Sequence, residues 1–133
     1  MQTVTAERRD RTLIVTIERP ERRNAVDGAT ARQLYDAFKA FDADEGLDVA
    51  ILQGRAGAFC AGADLKGISE GGGNPVLPEG DFGPMGCTRL RLGKPVIAAV
   101  EGHAGAGGLE SAGGADLRFA AEGATFGVFC RRF

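Results

Sequence analysis

The sequence has no tryptophan, one tyrosine, one histidine and two serines. A single histidine leaves no His-based zinc centre, so no metal site is expected. A Ser-His-acid triad has only His103 to draw on, and Ser69 and Ser111 are the only serines. The three cysteines, Cys60, Cys87 and Cys130, are odd in number, widely spaced and free of any CxxC. That pattern points to reduced thiols in a cytoplasmic protein, not to a disulfide frame. No wholly apolar run exceeds the five residues of Val96–Val100, far short of the roughly 20 needed to span a bilayer. The first twenty residues mix Glu7, Asp10 and Glu18 with arginines and do not read as a secretory signal. An excess of one charge is missing too. Residues 1–66 hold 10 basic and 11 acidic side chains, and residues 67–133 hold 6 and 7. Neither half is a basic arm, so neither nucleic acid nor a membrane is an expected partner.

What is present fits one α/β domain in 133 residues. Residues 12–18 are β-branched, with Leu13, Val15 and Ile17 on one face, and read as a strand. Residues 2–8 are a weaker strand, joined to it by a charged turn, and Pro20 ends the second strand by removing a ladder donor. Thr30 and Gln33 fit a capping box. Leu34, Phe38 and Phe41 then follow as one helical stripe. Residues 49–52 and 96–100 read as strands buried on both faces. Residues 101–108 read as a glycine-rich turn, residues 109–114 as a helix and 117–120 as a strand. Seven glycines and three prolines in residues 67–86 predict a long flexible loop.

Two segments share one physical logic. Ala58-Phe59-Cys60-Ala61-Gly62-Ala63-Asp64-Leu65-Lys66 follows a strand and enters a short helix. Gly105-Ala106-Gly107-Gly108-Leu109-Glu110 does the same. Small residues admit a ligand close to the backbone, and helix starts offer free N–H groups. Two such donors converging on one carbonyl oxygen make an oxyanion hole. Asp64 suits a first helical turn, where its charge meets the positive end of the dipole. Glu110 is either a helix cap or a general acid/base beside the second turn. Phosphate-loop patterns are missing: Gly93-Lys94 runs into Pro95, and Gly105-Ala106-Gly107 has Glu110 where a third glycine would stand.

In combination these stretches resemble the crotonase superfamily, the enoyl-CoA hydratase/isomerase family. Arg19-Pro20-Glu21-Arg22-Arg23-Asn24-Ala25 is similar to its early RP-x-x-x-NA segment, and residues 58–66 to its first signature. Residues 94–102 with Gly107-Gly108-Leu109-Glu110 are similar to its second. Ala115-Asp116-Leu117-Arg118 and Ala124-Thr125-Phe126-Gly127 follow in the family order.

The resemblance implies an α/β fold, a spiral of repeated ββα units truncated before a C-terminal helical part. Residues 1–133 would be the N-terminal portion of a single domain, since family members are about twice as long. It implies an acyl-CoA thioester substrate, no cofactor beyond the coenzyme A of that substrate, and a homo-trimer or hexamer. The oxyanion amides would be those of Ala63 and Gly107. Arg23, Ala25, Val26, Ala61, Ala63, Asp64, Leu65, Lys66 and Gly107 would line the CoA portion, with Arg23 or Lys66 meeting its phosphates. Glu110 matches the first catalytic glutamate. The second falls on Cys130, a thiol that stays mostly neutral at pH 7. The activity implied is addition of water to 2-trans-enoyl-CoA, in fatty acid metabolism. The alternatives are an inert remnant that binds CoA or docks on a relative, and another enolate reaction: isomerisation, thioester hydrolysis or decarboxylation.

Overall fold

The computed structural model describes residues 1–128. Strands β1 (Val4–Arg9) and β2 (Thr12–Ile17) form an antiparallel hairpin, turned at Asp10 in the left-handed region. Helix α1 (Gly28–Ala43) follows, then β3 (Val49–Gly54), α2 (Leu65–Ser69), β4 (Val96–Val100), β5 (His103–Gly105), α3 (Gly107–Gly113), β6 (Leu117–Ala120) and β7 (Thr125–Gly127). The larger sheet has the order β1-β2-β3-β4-β6, parallel from β2 onward. A smaller ladder pairs β5 with β7 in parallel, and Cys60 bridges onto Ala104 of β5. Each turn of chain therefore adds one rung to the larger sheet and one to the smaller, and a helix carries it back. This is the expected spiral of ββα units.

The apolar pattern explains the core. Leu13, Val15 and Ile17 point inward from β2, and Leu34, Phe38 and Phe41 meet them from α1. Ala50 and Leu52 of β3 continue the face, as do Val96, Ala98 and Val100 of β4. Burying each large side chain contributes about 1.5–3 kcal/mol. Ile97 and Ala99 are only half-buried, so β4 is not buried equally on both faces as predicted. At the sheet edge, Leu117 and Phe119 of β6 are exposed, as are Phe126 of β7 and Val128.

Local expectations are corrected in four places. The α1 cap is Asp27, whose Oδ1 accepts from Thr30 N at 2.8 Å, not Thr30. Thr30 is buried, its hydroxyl 2.6 Å from that of Thr3, and Gln33 Oε1 accepts from the amides of Thr3 and Val4. The supposed capping box thus ties α1 to β1. Residues 103–105 form β5 rather than part of a turn, because Cys60 and β7 flank them. Helix α3 begins at Gly107, two residues before the predicted start. Helix α2 runs to Ser69 and so takes the first residues of the predicted loop. The rest of that segment is irregular but folds back, burying Phe82 and Met85. None of the helices of the described residues is long and apolar enough to cross a membrane.

Candidate active site

The first glycine turn is held from both sides. Cys60 N donates to His103 O at 3.1 Å, and Gly105 N donates to Cys60 O at 3.0 Å. The Cys60 thiol is buried, and burial pushes its pKa up to about 11. It is a neutral acceptor for Gly62 N rather than a nucleophile. Gly62 has φ of +105°, a conformation that side chains resist. On the other side, Val26 N donates to Gly62 O at 2.8 Å, and Asp64 N donates to Val26 O at 2.9 Å. A trans peptide sets N–H opposite C=O. With Gly62 O aimed at Val26, the Ala63 N–H faces away from it. Among the described residues, no acceptor takes that N–H.

The second turn lies against the first. A Cβ built on Gly62 would come 3.2 Å from Gly107 N and 3.1 Å from Gly105 O. Ala106 O accepts from Glu110 N, so the peptide is turned helix-wise and the Gly107 N–H points out of the start of α3. The two amides predicted as an oxyanion hole, Ala63 and Gly107, are therefore on adjoining backbone. Ala106 ahead of them has φ 47° and ψ −115°, a region that glycine tolerates and alanine does not. Such strain costs about 1–3 kcal/mol and gathers at functional sites. Ala106→Gly is expected to raise the unfolding free energy by about 1 kcal/mol, after the added backbone entropy is offset. Denaturant titration checks this, and a loss of stability would contradict it.

Glu110 sits on the first turn of α3, exposed at the rim of a cleft formed by Phe38, Leu52, Cys87, Leu90, Val96 and Ser111. It caps nothing. Its carboxylate has no hydrogen-bond or ion-pair partner among the described residues. Cys130, where the resemblance puts the second glutamate, lies outside the described residues.

The residues expected along CoA, apart from the half-buried Ala63 and Gly107, divide into two groups. Arg23, Ala61, Leu65 and Lys66 are exposed, and Lys66 has only a loose contact, 3.9 Å, with Glu70. Ala25 and Val26 are buried, so only their backbone can face a ligand. Asp64 is buried as well. Its Oδ1 caps α2 through Lys66 N and Gly67 N, and its Oδ2 takes a 2.9 Å bond from Arg19. The bond from Gly67, then the nearby Arg19, hold its carboxyl below the usual carboxylate range, against the upward push of burial. Asp64 builds the turn from behind.

Two participants escaped the sequence reading. Arg19 opens the RP-x-x-x-NA segment with no role assigned to it by the sequence, yet it is buried against Asp64. Met85 is nearly fully buried, and its sulfur lies 2.7 Å from where a Gly107 Cβ would stand. Asn74 anchors it, accepting from Met85 N at 3.1 Å and donating to Val26 O at 3.2 Å. No local pattern marks the contacts of Arg19 with Asp64 or of Met85 with Gly107, because those partners are distant in sequence.

Residues 7–132 match the family described as enoyl-CoA hydratase/isomerase. The chain is 44% identical over 126 residues to enoyl-CoA hydratase EchA19 of Mycobacterium tuberculosis, covering 92% of this chain and 47% of the relative. It is 42% identical over 121 residues to a carnitinyl-CoA dehydratase of Salmonella arizonae, covering 87% and 44%. The crystal structure of enoyl-CoA hydratase EchA1 from Mycobacterium marinum superposes with a TM-score of 0.87 at 48% identity, over 95% of this chain and 48% of that one. The chain spans about half the length of the curated relatives it matches.

Proposed function

The chain belongs to the enoyl-CoA hydratase/isomerase family, and on that premise we propose that it binds an acyl-CoA thioester at the paired glycine turns and adds water to a 2-trans-enoyl-CoA. The observation that carries the reading is the adjacency of two outward-facing amides, Ala63 and Gly107, on consecutive turns of the spiral. When oxygen adds at C3, electron density moves through C2 to the thioester oxygen. Preorganised backbone donors act where that charge develops and need little reorganisation. Glu110 accepts the proton lost by the water, then donates it to C2 as the enolate collapses, and ends as a carboxylate again. Arg23 and Lys66 meet the CoA phosphates from the exposed rim. From the same resemblance we take assembly as a homo-trimer or hexamer, a cytoplasmic location and a place in fatty acid metabolism.

A second reading, an acyl-CoA-binding module without hydration, is favoured by Cys130 standing where the second glutamate is expected. One experiment separates the two. Crotonyl-CoA at 100 times its Kd is expected to stabilise the chain by about 2.7 kcal/mol, raising Tm by roughly 5–10 °C, with loss of the enoyl absorbance on incubation. A shift without turnover supports the binding module. An unmoved Tm overturns both.

A further inference from the structure

Arg19 is the only buried lysine or arginine among the described residues. Its backbone is fixed by Asn24, whose Oδ1 accepts from Arg19 N at 2.9 Å. The guanidinium reaches inward. Nη1 donates to Ala25 O, and Nη2 lies 2.9 Å from Asp64 Oδ2 and 3.4 Å from Asp27 Oδ2. Both aspartates are helix caps, Asp27 of α1 and Asp64 of α2. Each gives Oδ1 to its own helix start and turns Oδ2 to the one cation. A guanidinium offers several fixed donors in one plane; an ammonium offers a point charge. Arg19 therefore clamps three stretches of chain: the end of β2, residues 25–27, and residues 62–67.

Ala63 lies inside that clamp. Its N–H direction follows from the bonds that Val26 makes to Gly62 and Asp64 on either side, and Arg19 grips Ala25 and Asp27 on either side of Val26 and Asp64 next to Ala63. We propose that Arg19 is a positioning residue that aims the Ala63 amide at the thioester oxygen, through Asp64 and the 25–27 backbone. The proposal rests on the reading of Ala63 as an oxyanion donor. Aim matters because a misplacement of about 1 Å costs on the order of 10²-fold in rate.

The test uses Arg19→Lys, which keeps the charge and loses the fork, and Asp64→Asn, which keeps the cap oxygen and weakens the pair. Two readouts are taken: amide hydrogen exchange by NMR, and the thioester carbonyl stretch of bound crotonyl-CoA by Raman difference. In Arg19→Lys, exchange at Val26, Asp64, Lys66 and Gly67, the amides bonded in this pairing, is expected to rise at least about tenfold, with Glu110, bonded within α3, unchanged. The downward shift of the carbonyl stretch on binding is expected to fall by about half or more, since one of two donors is mis-aimed. Crotonyl-CoA affinity stays within about threefold, because most of the ligand lies elsewhere. Asp64→Asn is expected to act in the same direction and decides the matter if Arg19→Lys does not fold. A wild-type carbonyl shift that survives intact in both variants overturns the proposal alone. A wild-type chain that binds crotonyl-CoA with no carbonyl shift overturns the proposal together with the reading beneath it. Failure of both variants to fold makes Arg19 a stability residue only and also overturns it.

Discussion

Glu110→Gln is expected to lower crotonyl-CoA turnover by about 10²–10⁴-fold, the usual contribution of a positioned acid or base, while leaving Kd within a factor of about three. Glutamine keeps the shape of the side chain and cannot exchange a proton with water or C2. The change should be structurally quiet. The carboxylate is exposed, caps no helix and has no partner among the described residues, so no network collapses with it. That makes the kinetic effect interpretable: kcat falls and binding holds. Steady-state rates beside a Kd from ligand titration check it. Unchanged turnover would remove Glu110 from the chemistry, and equal losses in rate and affinity would make it a binding residue.

Gly108→Ala is expected to cost stability and to abolish the crotonyl-CoA thermal shift. The added methyl would stand 2.1 Å from Cys60 O and 2.8 Å from Cys60 C. Those are backbone atoms, and Cys60 O already accepts from Gly105 N, so nothing nearby can rotate away. The two turns must separate, at a cost of about 1–3 kcal/mol for forced overpacking, and the amide pair opens with them. Gly113→Ala is the matched control on the same helix. A Cβ there meets nothing within 4 Å, and alanine is the better helix former by about 1 kcal/mol. Chemical denaturation of both variants checks the contrast. Equal stability of the two would mean that the close approach of the turns carries no weight.

The fold was legible where local pattern and burial agree. The Leu34, Phe38, Phe41 stripe is the buried face of α1, and alternation along β2 marks its inner face. Legibility ended where a residue had two chemically valid uses. Thr30 and Gln33 have the types of a capping box, but Thr3 and the start of β1 lie alongside and take both side chains. The helix is capped instead by Asp27, an equally good capping residue three positions earlier. Strand β5 was illegible because three residues of His-Ala-Gly have no strand signature of their own. Its neighbours Cys60 and β7 make it a strand. At the site, the turn-and-helix logic found both segments, and the family resemblance picked out Ala63 and Gly107. Their adjacency, and the pairing of Arg19 with Asp64 across 45 positions, are long-range facts that no window of sequence contains.

The double ladder has a consequence for how ligand and fold are coupled. Each turn of the spiral rests chiefly on its neighbours, as in a solenoid whose stability is a sum of unit and interface terms. Ala63 belongs to the turn that carries α2, and Gly107 to the next, which carries α3. An oxygen held by both amides is therefore a staple between adjacent repeats. Its binding free energy adds to one interface term, and any slippage of one repeat along the other is felt at that oxygen before it is felt in the core.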